Sequence, residues 1–154
     1  MADNFYASIL IPTRYITEEV REVIKAEISE WNLNNASEED GVTYFEDHFA
    51  RNGYFKELEE MLVQTGIPFD RSSSGFGEYM SEIRYYRPGE IDQSITVTND
   101  GGSYIETYEL KKLLQMTADE AYLKLAELIA LADPQVTPLE EIASEDQLQT
   151  GTIK

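Results

Sequence analysis

Apolar residues fall along the chain in two rhythms, one of helical period and one alternating, and together they predict a mixed architecture. Phe5-Tyr6-Ala7-Ser8-Ile9-Leu10-Ile11, closed by Pro12, is a compact apolar run that predicts a buried strand. Thr17 stands at an N-cap position, with Glu18 and Glu19 in the first turn, where the helix dipole favours acids. Val20, Val23, Ile24, Ile28 and Trp31 then recur at helical spacing and predict one core-facing stripe to about residue 31. Asn32 to Asp40 reads as an acidic polar loop, and Val42 to Phe45 as a short β-prone run with no clear boundary against 46–52. Tyr54 to Thr65 predicts a second amphipathic helix with Phe55, Leu58, Met61 and Leu62 inward. Gly66 stands where a left-handed cap belongs, and Pro68 blocks continuation.

The second half alternates first and coils afterwards. Arg71 to Gly77 reads as a flexible loop. Tyr79 to Tyr86 and Ser94 to Thr98 read as strands about a Pro88-Gly89 turn. Asn99-Asp100-Gly101-Gly102 is a hairpin signal leading to an expected strand, Ser103 to Tyr108. Leu110 to Met116 predicts a short helix, and Thr117-Ala118-Asp119-Glu120 a capping box opening a helix to Ala132. That helix is apolar on more than one stripe, so it is either deeply buried or half of an interface, such as a homodimer through 118–132. Residues 134–154 read as an acidic, flexible tail after a domain spanning 1–133. The expected class is α+β: one antiparallel or mixed sheet covered by helices, with an additional C-terminal helix. The β-α-β-α-β-β order of the first hundred residues admits a ferredoxin-like core.

Charge changes this picture more than any motif does. Thirty acids against twelve Lys and Arg leave a formal net charge of −18 on 154 residues. Such an excess opposes folding through self-repulsion, repels nucleic acid and membranes, and attracts basic surfaces. Residues 38–60 hold eight acids against two bases, and residues 113–154 again eight against two. Solubility with an acidic tail is the plain explanation. The functional one is a non-enzymatic module that docks on a basic protein surface. Eighteen charges equal those on roughly 30 Å of duplex DNA, so imitation of nucleic acid before a DNA- or RNA-binding groove is physically possible. The contacts on that reading are Glu38, Glu39, Asp40, Glu46, Asp47, Glu57, Glu59 and Glu60. A cytoplasmic protein of bacterial or phage origin, without direct nucleic-acid or membrane contact, fits this composition.

Catalytic chemistry finds little purchase. The chain has no cysteine and one histidine, so paired-His and Cys/His zinc spacings cannot occur and no cofactor motif stands out. Asp47-His48 places a carboxylate beside an imidazole, but adjacent strand residues face opposite ways. An enzyme would have to work through His48. A second alternative is a small-ligand or nucleotide site built from Arg71, Ser72, Ser73, Ser74, Gly75, Gly77 and Arg84, with loop N–H groups forming an anion nest. The segment lacks the Gly-Lys-Ser/Thr of a P-loop and the Rossmann fingerprint. Arg84-Tyr85-Tyr86-Arg87 reads as structural, its arginines paired with acids and one tyrosine turned to the core.

Overall fold

The computed structural model describes the backbone of residues 3–150 and side chains as far as Glu145. Its centre is strand β1 (Asn4–Pro12), flanked by β3 (Val42–Arg51) and β4 (Phe69–Ser73). The full antiparallel order is β2-β3-β1-β4-β5-β6, with β2 Ser37–Glu39, β5 Ser81–Arg87 and β6 Ile91–Val97. Helices α1 (Glu18–Glu27) and α3 (Lys56–Thr65) lie together over one sheet face, with the single turn α2 (Glu30–Leu33) beside them. The chain is therefore α+β, and β1-α1-β2-β3-α3-β4 has the order and connectivity of a ferredoxin-like core. Strands β5 and β6 extend its β4 edge as a meander.

Alternation explains how the core is made. Cross-strand partners share a face, so the pairs Ile9–Phe45 and Ile9–Arg71 put Ala7, Ile9, Ile11, Phe45 and Phe69 under the helices. Val20, Ile24 and Ile28 of α1's stripe meet them there, with Leu58 and Leu62 of α3. Thr17 caps α1 by accepting from the Val20 N–H at 3.3 Å. Gly66, at φ 69°, closes α3 with both bonds of a Schellman motif, Gly66 N–H to Val63 O and Ile67 N–H to Leu62 O.

Several expectations give way. The first helix stops at Glu27 and Ser29 starts a new turn, which leaves Trp31 78% exposed instead of inward. The polar run 32–40 is no simple loop: Ser37–Glu39 pairs with Val42–Tyr44 as an exposed edge strand that apolar patterning cannot reveal. Arg71 to Ser73 belong to β4, because pairing with β1 on one side and β5 on the other outweighs their loop-like composition. The turn at 99–102 forms, but the strand expected over 103–108 reduces to one bridge, Val97–Ser103, before α4 (Thr107–Leu113) begins.

The tail expected from 134 also carries structure. Helix α6 (Leu139–Thr150) seals Leu139 and Ala143 against Val42 and Leu10, on the sheet face opposite α1 and α3. The buried guanidinium of Arg87 ties the approach to it, donating to Thr137 O at 2.7 Å and to Asp70 at 2.8 Å. Leu139 and Ala143, at i and i+4, are the buried side chains of this docking, with Ile142 packed beside them. Four acids among 139–150 disguise it as solvated chain.

Candidate functional site

Three places gather chemistry, and the fold assembles each from distant sequence. The first is an acidic edge. The β2–β3 turn presents Glu38, Glu39 and Asp40, all exposed, with Asp40 and Gly41 in the left-handed region (φ 50° and 78°) that a tight turn requires. Helix α6 passes so close that a Cβ on Gly41 would lie 3.2 Å from the Ala143 Cβ. As a result Glu140 lines one cleft with Leu10, Glu39, Asp40, Val42 and Tyr44. Glu141 and Glu145 are exposed on the same helix. Burial pushes the Asp70 carboxyl above its ordinary range against the pull of Arg87, and the nearby Glu140 adds to the rise. No cluster of three or more acids or histidines is close enough to hold a metal ion among the described residues.

The remaining predicted acids do not join this edge. Asp47 is buried on the helix side, accepting from Asn32 Nδ2 at 3.0 Å and from the Phe49 N–H at 2.8 Å. Glu59 is 3% exposed and spent inside the protein. Glu57 and Glu60 are exposed on α3, over the opposite sheet face. Glu46 lies on the α6 side of the sheet, where it accepts from the hydroxyls of Tyr6 and Tyr44, each at 3.0 Å.

The second place is a cavity of about 420 Å³ at the β4–β5–β6 end of the helix-side face. The register Arg71–Arg84 and Ser73–Glu82 sets these side chains side by side. Arg71 is buried and donates from Nε to Glu59 at 3.2 Å, from Nη1 to Ser73 Oγ at 3.4 Å and from Nη2 to Glu82 at 2.6 Å. Arg84 donates to Glu59 at 2.9 Å and makes a two-pronged contact to Asp92 at 2.9 and 3.0 Å. Asp92, more than any other neighbour, holds the Arg84 guanidinium above its usual range. Phe5, Tyr54, Tyr79 and Met80 form the walls.

Of the ligand set read from the sequence, Arg71, Ser73 and Arg84 thus meet in one cavity, while Ser72 alternates to the other sheet face. Two of the loop N–H groups are engaged internally, Ser74 with Tyr6 O and Gly75 with Ser81 Oγ. Three carboxylates surround two guanidiniums, so the cavity repels phosphate. Glu82 was legible only through alternation within the expected strand 79–86, and Asp92 was not legible at all, because β6 begins at Ile91, ahead of the strand expected from Ser94.

The third place surrounds His48. The imidazole is exposed, lies 3.6 Å from Glu46 and packs edge-on against Tyr6. The hydroxyls of Tyr6 and Tyr44 contact each other as well as Glu46. Burial and these bonds raise the Tyr6 phenol far above its normal value, so it holds its proton and makes a poor base. Asp47 faces the other way, as strand geometry requires.

No protein-family model, curated protein or solved structure matches this chain. Among the described residues, no helix is long and apolar enough to cross a membrane.

Proposed function

We propose that the chain is a non-enzymatic acidic module that binds a basic protein surface through the edge formed by the β2–β3 turn and α6. One observation carries this reading: two acid-rich stretches a hundred residues apart in sequence meet at Glu39, Asp40 and Glu140. Folding does not consume these side chains as it consumes Glu59 and Asp47. Their groups stay hydrated and add to a long-range negative field, which steers association and sets orientation more than it sets affinity. A nucleic-acid-binding groove is the basic surface such an edge suits best, and occupying it would inhibit the partner.

The test is capture from a nuclease-treated bacterial lysate with eluates taken by a salt step and by competitor duplex DNA, followed by binding with the purified partner. A partner released by both treatments, and bound at least tenfold more weakly (about 1.4 kcal/mol) by the Glu39→Gln/Asp40→Asn/Glu140→Gln variant, supports the proposal. A complex that persists at about 1 M salt, where screening shortens to roughly 3 Å, or one indifferent to the triple substitution, overturns it.

A second reading has its own support in the Arg71 cavity, whose volume and aromatic walls suit a small molecule. Its charge favours a neutral or cationic aromatic ligand. Thermal stabilisation by an aromatic amine, abolished in Tyr79→Ala, would establish that reading.

A further inference from the structure

Helix α5 (Ala118–Ala132) has a Thr17-like beginning and an unusual end state. Thr117 and Glu120 complete the reciprocal capping box, so the helix is locally well specified. Eleven of its fifteen residues are Ala, Leu, Ile or Tyr, yet none is buried. Ala121, Leu125, Leu128 and Ala132, spaced three and four apart, are its half-covered stripe. The adjoining face carries Tyr122 at 73% exposure, Leu123 at 66% and Ile129 at 49%, with Ala126 and Ala130 exposed between them. An apolar face of this composition is made for contact with another surface.

We infer that this face pairs with the same face of a second copy, as an antiparallel two-fold contact centred on Ala126. Three observations select a second copy as the occupant. The first is fit: a two-fold axis at Ala126 sets Tyr122 opposite Ala130 and Leu123 opposite Ile129 of the other copy, large against small and branched against branched. A two-fold contact needs such self-complementarity. The second is area. At roughly 200 Å² for a large exposed side chain, the five residues offer on the order of 500 Å² per copy, or about 1,000 Å² in the pair, where specific interfaces begin.

The third is charge. Residues 103–132 hold five acids and three bases, a net of −2, which leaves −16 on the rest of the chain. This region is where two such acidic molecules meet with least repulsion. The pairing still brings Asp119 near Asp133 of the other copy at each end, so added salt strengthens it. A complex held by the acidic edge responds to salt in the opposite sense.

Light scattering with size exclusion, on the full chain across about 1–200 µM, tests the inference at low and high salt. The expected result is a passage from one-copy to two-copy mass, with a midpoint that falls as salt rises from about 50 to 500 mM. Tyr122→Lys and Ile129→Lys shift that midpoint upward by about tenfold or more. They leave the thermal unfolding temperature of the dilute protein unchanged, because neither side chain is buried. A one-copy mass over the whole range, a midpoint that rises with salt, or a dimer indifferent to both substitutions overturns it. So does assembly beyond two copies, which a closed two-fold contact forbids.

Discussion

Replacing Glu59 by Gln removes one charge from the centre of the Arg71 network and changes almost nothing in shape. Glu59 is 3% exposed and accepts three bonds, from Phe55 N–H at 3.0 Å, Arg71 Nε at 3.2 Å and Arg84 Nη1 at 2.9 Å. Glutamine keeps one acceptor oxygen and turns its amide N–H donors toward another donor. Arg71, 5% exposed, then retains only Glu82 and Ser73, while Arg84 retains Asp92. Breaking a buried pair from one side costs about 3–5 kcal/mol. The surviving partners place this case at the lower end, near 3 kcal/mol. For a chain of this length that is a fall of roughly 6–12 °C in unfolding temperature. Urea and thermal unfolding followed by circular dichroism measure it, with Glu60→Gln as the control, since that exposed neighbour removes an equal charge from the same helix. If Glu59→Gln lies within about 0.5 kcal/mol of Glu60→Gln, the network does not hold the meander to the core and the account of the cavity floor is wrong.

Other outcomes follow from packing and titration. Leu139→Ala, which empties a site 2% exposed beside Val42, should cost about 2–4 kcal/mol in urea unfolding; a cost below about 0.5 kcal/mol would mean that α6 does not stabilise the fold. Gly53→Ala should be far worse than Gly89→Ala, because both sit at positive φ but only at 53 would the new Cβ lie 2.0 Å from the buried Phe5 ring; equal unfolding midpoints would contradict that packing. Asp70 has a raised carboxyl pKa, so the proton it binds in the folded state adds stability that is lost as pH climbs through that raised value. Unfolding temperature should therefore rise as pH falls from 7 toward the ordinary carboxylate range, and Asp70→Asn should flatten the rise; an unchanged slope in that variant refutes the assignment.

What could be read from the sequence was whatever folding writes locally. The Thr17 cap, the Gly66 closure and the Thr117–Glu120 box depend on neighbours within a few residues, and all three stand in the structure. The central strand was equally plain, because burial on both faces leaves a continuous apolar run. Features set by distant partners were not. Ser37–Glu39 becomes a strand only because Val42–Tyr44 offers its ladder, and Arg71–Ser73 only because β1 and β5 flank it. The acids of 38–60 looked alike in sequence, yet packing spends Glu59 and Asp47 internally, separates Glu57 and Glu60, and leaves Glu39 and Asp40 to meet Glu140. Nothing local to Glu59 marks it for burial. The two guanidiniums it pairs with lie 12 and 25 residues away.

The short outer strand Ser37–Glu39 has a consequence for how molecules of this chain behave when crowded. A free strand at the margin of a sheet is a template on which another chain can add, and continued addition builds fibres. Here that margin is three residues long, fully exposed and carries two carboxylates, with a third in the adjoining turn. An incoming identical strand would set like charges against like and find few ladder bonds in return. Growth of the sheet sideways is thereby discouraged at β2, and a protein that shows so much apolar helix to solvent can be concentrated without seeding β-aggregates from that side.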